Sequence, residues 1–174
     1  RAGAHGAAGW QMPKHALRMT QEMGFHYCSD GRAAPGEGTP HFPVVNAEII
    51  NCPQIPTTLP TLDELIGLDG CTDANVHERL LAMTASAAPS IIASRQSMSA
   101  HVFTLHAELE GMRLMPVFQR LLRGWRAQGH ALVTLGALRA ALDDATVPRR
   151  CPAWGELPGR SGLVAMPGAV FAAG

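Results

Sequence analysis

Pro13-Lys-His-Ala-Leu-Arg-Met-Thr-Gln-Glu-Met-Gly-Phe-His-Tyr-Cys-Ser-Asp30 decides the reading of the fold. A proline at the first turn, Ala16, Leu17, Met19 and Met23 spaced for one buried face, and Gly24 as terminator predict a helix over Pro13–Met23. The short aromatic run Phe25-His-Tyr-Cys28 then predicts a strand, halted by Ser29-Asp30-Gly31. A helix that hands over to a strand ending in aspartate is the rhythm of an α/β sheet.

Working outward, the Pro- and Gly-rich segment Arg32–Pro43 predicts a loop, and Pro53 and Pro56 confine Ile49–Leu59 to an edge or an irregular path. Thr61-Leu-Asp-Glu64 has the pattern of a capping box and Gly67 ends the short helix it opens. A second helix is expected over Thr72–Ala87, capped by Thr72 or Asp73, with Val76, Leu80, Leu81 and Met83 as its apolar stripe. Ser90–Met98 carries no clear signal. Val102-Phe-Thr-Leu-His106 reads as a buried strand. Pro116–Gln128 reads as a helix with Val117, Leu121, Leu122 and Trp125 inward and Arg120, Arg123 and Arg126 outward. Ala131–Thr134 reads as a further strand, Leu135–Leu142 as a further helix, and the proline-studded stretch 148–174 as irregular cover. Alternating helices and strands predict a parallel sheet or a (β/α) barrel. A closed barrel needs roughly 250 residues, so 174 residues with four legible strands are barrel material for only part of one.

Composition removes several classes of function. Hydrophobic residues at 47% and charged residues at 16% belong to a packed chain, not to a charged disordered tail. Fourteen Lys plus Arg balance fourteen Asp plus Glu, so no basic footprint for nucleic acid and no polybasic membrane patch is expected. Cysteines at 28, 52, 71 and 151 make no C-x-x-C pair and no zinc spacing, which argues against a disulfide framework. The longest charge-free apolar stretch, Gly162–Gly174, is too short to cross a bilayer and is broken by Pro167; no signal segment opens the chain. The chain opens on Arg1 instead of methionine, as expected of a processed or truncated piece.

Three places can carry chemistry. In a strand, His106 and Glu108 project to one side, and a histidine at a strand's carboxyl end has a pKa suited to proton donation; the alternative is a hydrogen-bonded structural histidine. Asp30 either orients a histidine or arginine across the sheet or makes an Asx-turn with Gly31. Trp10 either floors a sugar pocket or fills the core. The glycines at 3, 6 and 9 make no dinucleotide fingerprint, because no strand precedes them.

Gly6-Ala-Ala-Gly-Trp10, Tyr27-Cys-Ser-Asp-Gly-Arg32, Gln54-Ile-Pro-Thr-Thr-Leu-Pro-Thr-Leu-Asp-Glu-Leu-Ile-Gly67 and Leu105-His-Ala-Glu-Leu-Glu-Gly111, taken in order, resemble one family. It is that of the formamido-arabinose-phosphoundecaprenol deformylases, within the polysaccharide deacetylase (NodB homology) group. The resemblance implies an α/β fold, a partial (β/α) barrel of the NodB type lacking its first strands. Residues 1–147 would be the carboxyl-terminal part of the catalytic domain and 148–174 an irregular Pro/Gly-rich tail. It further implies a metal-dependent amidohydrolase removing formyl from an aminosugar on undecaprenyl phosphate, a step in lipid A modification and polymyxin resistance. In such families an Asp and two His hold a divalent metal, a second Asp is the base and a late histidine is the acid.

On this chain His106 matches the late histidine as general acid and Asp30 the orienting aspartate, while Trp10, Arg32 and Glu108 would contact substrate. Two departures stand out. No H-x-x-x-H occurs in the sequence, and Gln11 occupies a position where relatives carry arginine. The expectation is therefore a bacterial half-enzyme, inert alone, with the divalent metal in the intact parent and none on this chain. Its partner would be a polyprenyl-phosphate-linked aminosugar, met at the inner membrane through the substrate only. Alternatives are another NodB-type sugar N-deacetylase or a non-catalytic sugar-binding remnant.

Overall fold

The computed structural model describes residues 2–34, 38–85 and 100–171, which divide into two compact units. The expectation for Ser90–Met98, and the end of the helix expected over Thr72–Ala87, lie outside the described residues.

The first unit comprises the chain up to Thr58, Thr134–Leu157 and the segment from Ser161 onward. Strand β1 (Ala4–His5) runs parallel to β2 (Tyr27–Cys28), with His5 opposite Cys28. Helix α1 (Lys14–Glu22) connects them and begins directly after Pro13. Its buried positions are Leu17 and Thr20, and Met19 and Met23 point outward, half exposed. The expected four-residue stripe was thus too wide, because the core admits only the narrow face that meets the cluster of Met12, Leu17, Cys28, Val45, Ile50 and Cys52.

Beyond β2 the chain stays extended beside Gln54–Thr57, where isolated parallel bridges join Cys28 to Gln54 and Arg32 to Thr57. Pro53 and Pro56 offer no N–H, so the ladder is broken into single bonds such as Ile55 N–H to the Cys28 carbonyl and Thr57 N–H to the Gly31 carbonyl. The irregular path expected for this segment is what forms.

A second sheet of four strands has the order β4-β3-β5-β6, built from β3 (Phe42–Val45), β4 (Glu48–Ile49), β5 (Arg149–Gly155) and β6 (Val164–Val170). Only its β3–β5 pair is parallel. The described residues therefore hold a mixed α/β arrangement with two sheets and no closed barrel. The stretch beyond Pro148, expected to be irregular, instead supplies two seven-residue antiparallel strands. Its prolines are accommodated because Pro152 and Pro167 are register partners, so the two missing donors coincide, and a bulge falls between Arg150 and Pro152.

The second unit, Leu59–Val133 with Pro158–Arg160, is helical. Helix α2 (Leu62–Leu65) starts where the buried Glu64 carboxylate reaches back to accept from the Thr61 N–H at 3.1 Å. Helices α3 (Val76–Ala85) and α4 (Met115–Ala127) pack through Val76, Leu80, Val117, Leu121 and Trp125. Gly124 permits the approach, since a Cβ there would run into Leu81. Met83 of the expected α3 stripe is exposed.

Two expected strands do not form. Val102–His106 is extended without a ladder: the Val102 carbonyl accepts from the Leu59 N–H at 3.1 Å, and Phe103 packs edge-on to Trp125 at 5.5 Å. Ala131–Thr134 lies exposed, because the Thr134 hydroxyl is taken as the N-cap of helix α5 (Leu135–Ala140), accepting from Ala137 N–H at 3.1 Å. A β-branched run becomes a strand only where a neighbour offers an edge.

Candidate functional site

In the first unit the polar centre is Asp30, two residues past β2 and 1% exposed. Its Oδ1 accepts the Ala7 N–H at 2.9 Å and pairs with His5 Nδ1 at 2.7 Å. Its Oδ2 accepts from Gln54 Nε2 at 2.8 Å, and the side-chain amide oxygen of Gln54, Oε1, in turn accepts the Asp30 N–H at 3.1 Å. Gln54 thus clamps both ends of the residue. A carboxylate removed from water needs such donors, and these three come from two segments, His5–Ala7 and Gln54, each more than twenty residues from Asp30 in the chain. The histidine that Asp30 meets is His5, whose side chain is 40% exposed.

Close by, Trp10 sits at positive φ, buried against Leu157 and Val164, and donates from Nε1 to Thr57 Oγ1 at 3.3 Å. The Arg32 guanidinium, also buried, lies 4.6 Å from the centre of the indole ring. Trp10 is therefore a core residue with a cation on one face, not an open floor. A small, mainly apolar cleft is lined in part by Asp30, His41, Gln54 and Met166. Burial holds the His41 imidazole neutral, its pKa pushed down to about 4 despite a hydrogen bond to the Thr39 carbonyl, and the Arg150 charge adds to the depression.

His106 belongs to the second unit and ends no strand. Its carbonyl accepts from the N–H groups of Leu109 and Glu110, starting the wide turn Leu109–Arg113. Its own N–H donates to Glu110 Oε2 at 2.6 Å, and its Nδ1 stands 3.8 Å from Asp63 Oδ1. The ring is 40% exposed. Glu108 has helical backbone angles and is exposed, so the two-residue alternation that would set it beside His106 does not apply. Glu110, which the sequence reading did not single out, is the carboxylate that bonds to the His106 N–H. The structure thus brings Asp30, Trp10 and Arg32 together in one unit, and His106 and Glu108 occupy the other.

Sequence reasoning passed over His5, Gln54, Asp63 and Glu110. Gln54 and Asp63 lie inside the Gln54–Gly67 block, which was the available signal; His5 had none beyond a later register with Cys28.

Among the described residues no Asp and two His come together as in a NodB-type metal set. Among the described residues one cluster can hold an ion, His5, Cys28 and Asp30, with donor atoms within 4.8 Å of one another. Its thiol and single imidazole are a different donor set, and no hydrolytic step is derived from it.

No family model matches the chain. Several curated relatives do align with it, among them two of the same name. One, from Shewanella sediminis (strain HAW-EB3), is named probable 4-deoxy-4-formamido-L-arabinose-phosphoundecaprenol deformylase ArnD. It is 31% identical over 115 residues, covering 66% of this chain and 32% of the relative. Another of the same name, from Wigglesworthia glossinidia brevipalpis, is 30% identical over 115 residues, covering 66% of this chain and 35% of the relative. The chain spans about a third of the length of the curated relatives it matches. No helix among the described residues is long and apolar enough to cross a membrane.

Proposed function

We propose that this chain is the carboxyl-terminal part of a deformylase that hydrolyses the formamide of an aminosugar carried on a polyprenyl phosphate. The observation that carries the reading is the alignment with two proteins named as such deformylases, joined to the resemblance of the Gln54–Gly67 and Leu105–Gly111 blocks. Hydrolysis adds water across the amide, giving formate and the free sugar amine. An amide nitrogen leaves poorly as an anion, so it must be protonated as the C–N bond breaks. His106 is the residue assigned to that transfer: its ring is 40% exposed, its backbone N–H is held by the Glu110 carboxylate, and the Asp63 carboxylate stands 3.8 Å from its Nδ1.

Asp30 bonds to His5 and to the Ala7 N–H ahead of Trp10, and the buried Arg32 lies over the indole; the exposed Glu108, in the same unit as His106, is assigned to the sugar hydroxyls. The divalent ion of the hydrolytic step belongs to the intact parent, whose ligands are not among the residues described here, and the membrane is met through the lipid carrier only.

A chimera carrying this chain in place of the matched third of the Shewanella sediminis protein tests the reading. The expected result is formate release from the formamido-sugar lipid. His106→Ala should then lower kcat by about 100-fold or more with KM little changed. An unchanged kcat removes His106 from the acid role. Formate release by the 174-residue chain alone overturns the partial-enzyme reading.

A further inference from the structure

Parallel pairing brings four metal-seeking side chains to one edge of the first unit. His5 and Cys28 are register partners in β1 and β2, and Asp30 follows Cys28 by two residues. Cys52 precedes Gln54, the parallel bridge partner of Cys28, by two. The His5, Cys28 and Asp30 donor atoms lie within 4.8 Å of one another, and the Cys52 Sγ is 3.4 Å from the Cys28 Sγ.

We propose that these four residues bind a zinc ion that pins β1, β2 and the Cys52–Thr57 segment together and takes no part in hydrolysis. The donors are one imidazole, one carboxylate and two thiols, a borderline-soft set that suits zinc and is unsuited to calcium or magnesium, which require oxygen ligands. Zinc–sulfur bonds of about 2.3 Å place two tetrahedral thiolates roughly 3.8 Å apart; the sulfur pair stands at 3.4 Å, so the two thiols part slightly and Cys52 turns towards the His5, Cys28 and Asp30 donors as the ion binds. The shorter His5–Asp30 contact is a hydrogen bond whose proton the ion displaces. On binding, the two thiol protons are released to solvent, the His5 proton moves from Nδ1 to Nε2, and Asp30 remains the carboxylate. Ala7 N–H and Gln54 Nε2 keep their bonds to that carboxylate and so orient it as ligand. The two cysteines and Asp30 are buried, and the partly exposed His5 is the way in.

The site does not rest on the deformylase reading, and its failure leaves that reading where it stands. The test uses the full chain, reduced and freed of metal, titrated with cobalt(II) and then zinc(II). The expected result is a thiolate-to-cobalt charge-transfer band that saturates at one equivalent, is removed by zinc, and is accompanied by a higher melting temperature. The band should be lost in Cys28→Ser and in His5→Ala, the second being a half-exposed position whose replacement leaves the core packed. It should persist in Cys71→Ser and Cys151→Ser. No band at one equivalent overturns the site. So does an unchanged band in His5→Ala, or the finding that Cys28 and Cys52 are joined as a disulfide in the isolated chain.

Discussion

Asp30 and His106 are both set on short stretches that follow a recognisable motif, yet their surroundings differ in kind. Asp30 is fully buried and every side-chain oxygen is met by a donor from another segment. His106 is half exposed and held through its backbone, and among the described residues its ring pairs with the Asp63 carboxylate alone, at 3.8 Å. The first is built into the fold and the second rests on it. One chain thus holds both a buried, fully bonded carboxylate and a half-exposed histidine whose loss the fold should tolerate.

Asp30→Ala is the sharpest way to break that contrast. It strands the Ala7 N–H, the Gln54 amide and His5, and should cost about 3–5 kcal/mol in urea unfolding. A loss under about 1 kcal/mol would mean that the carboxylate does not organise the unit.

His41 gives the next largest effect, and a pH signature. Its folded pKa is depressed from 6.5 to about 4, so between those values the unfolded chain holds more protons than the folded one. Stability should be at its full value above pH 6.5 and fall as the pH drops towards 4, by up to about 3 kcal/mol. The fall should be absent in His41→Gln, checked by unfolding curves taken across that range. A profile unchanged by the substitution would show that His41 is not held neutral.

Glu64→Ala removes the carboxylate that accepts from Thr61 N–H and pairs with Arg160 at 3.4 Å. It should cost about 1–3 kcal/mol, read as a lower urea midpoint at unchanged slope. His106→Ala should change stability by less than about 0.5 kcal/mol, since no ring hydrogen bond is lost. A larger loss would move His106 into the class of Asp30 and erase the difference between the two.

The parts of the fold legible in the sequence are those governed by near neighbours. Pro13 and Gly24 bracket α1, Thr61 and Glu64 open α2, and the 117, 121, 125 spacing faces the core of the second unit. Missed features depended on partners far along the chain. Val102–His106 and Ala131–Thr134 have strand composition and no neighbouring edge; 149–155 and 164–170 contain prolines and became strands because each met the other in register. Met19, Met23 and Met83 show the same limit for helices, where the apolar residues exceed the width of the face that the core covers.

The candidate site divides in the same way. Asp30, Trp10, Arg32 and His106 were reached from residue type and from ordered resemblance, both properties of the sequence alone. That Asp30 holds His5, that Gln54 clamps it, that Cys28 meets Cys52 and that Glu110 instead of Glu108 bonds to His106 was decided only by tertiary structure. The physical reason is range. Caps, breakers and apolar periods act within a few residues, whereas strand register, which sets His5 against Cys28 across 23 positions, is fixed by the packing of the whole unit.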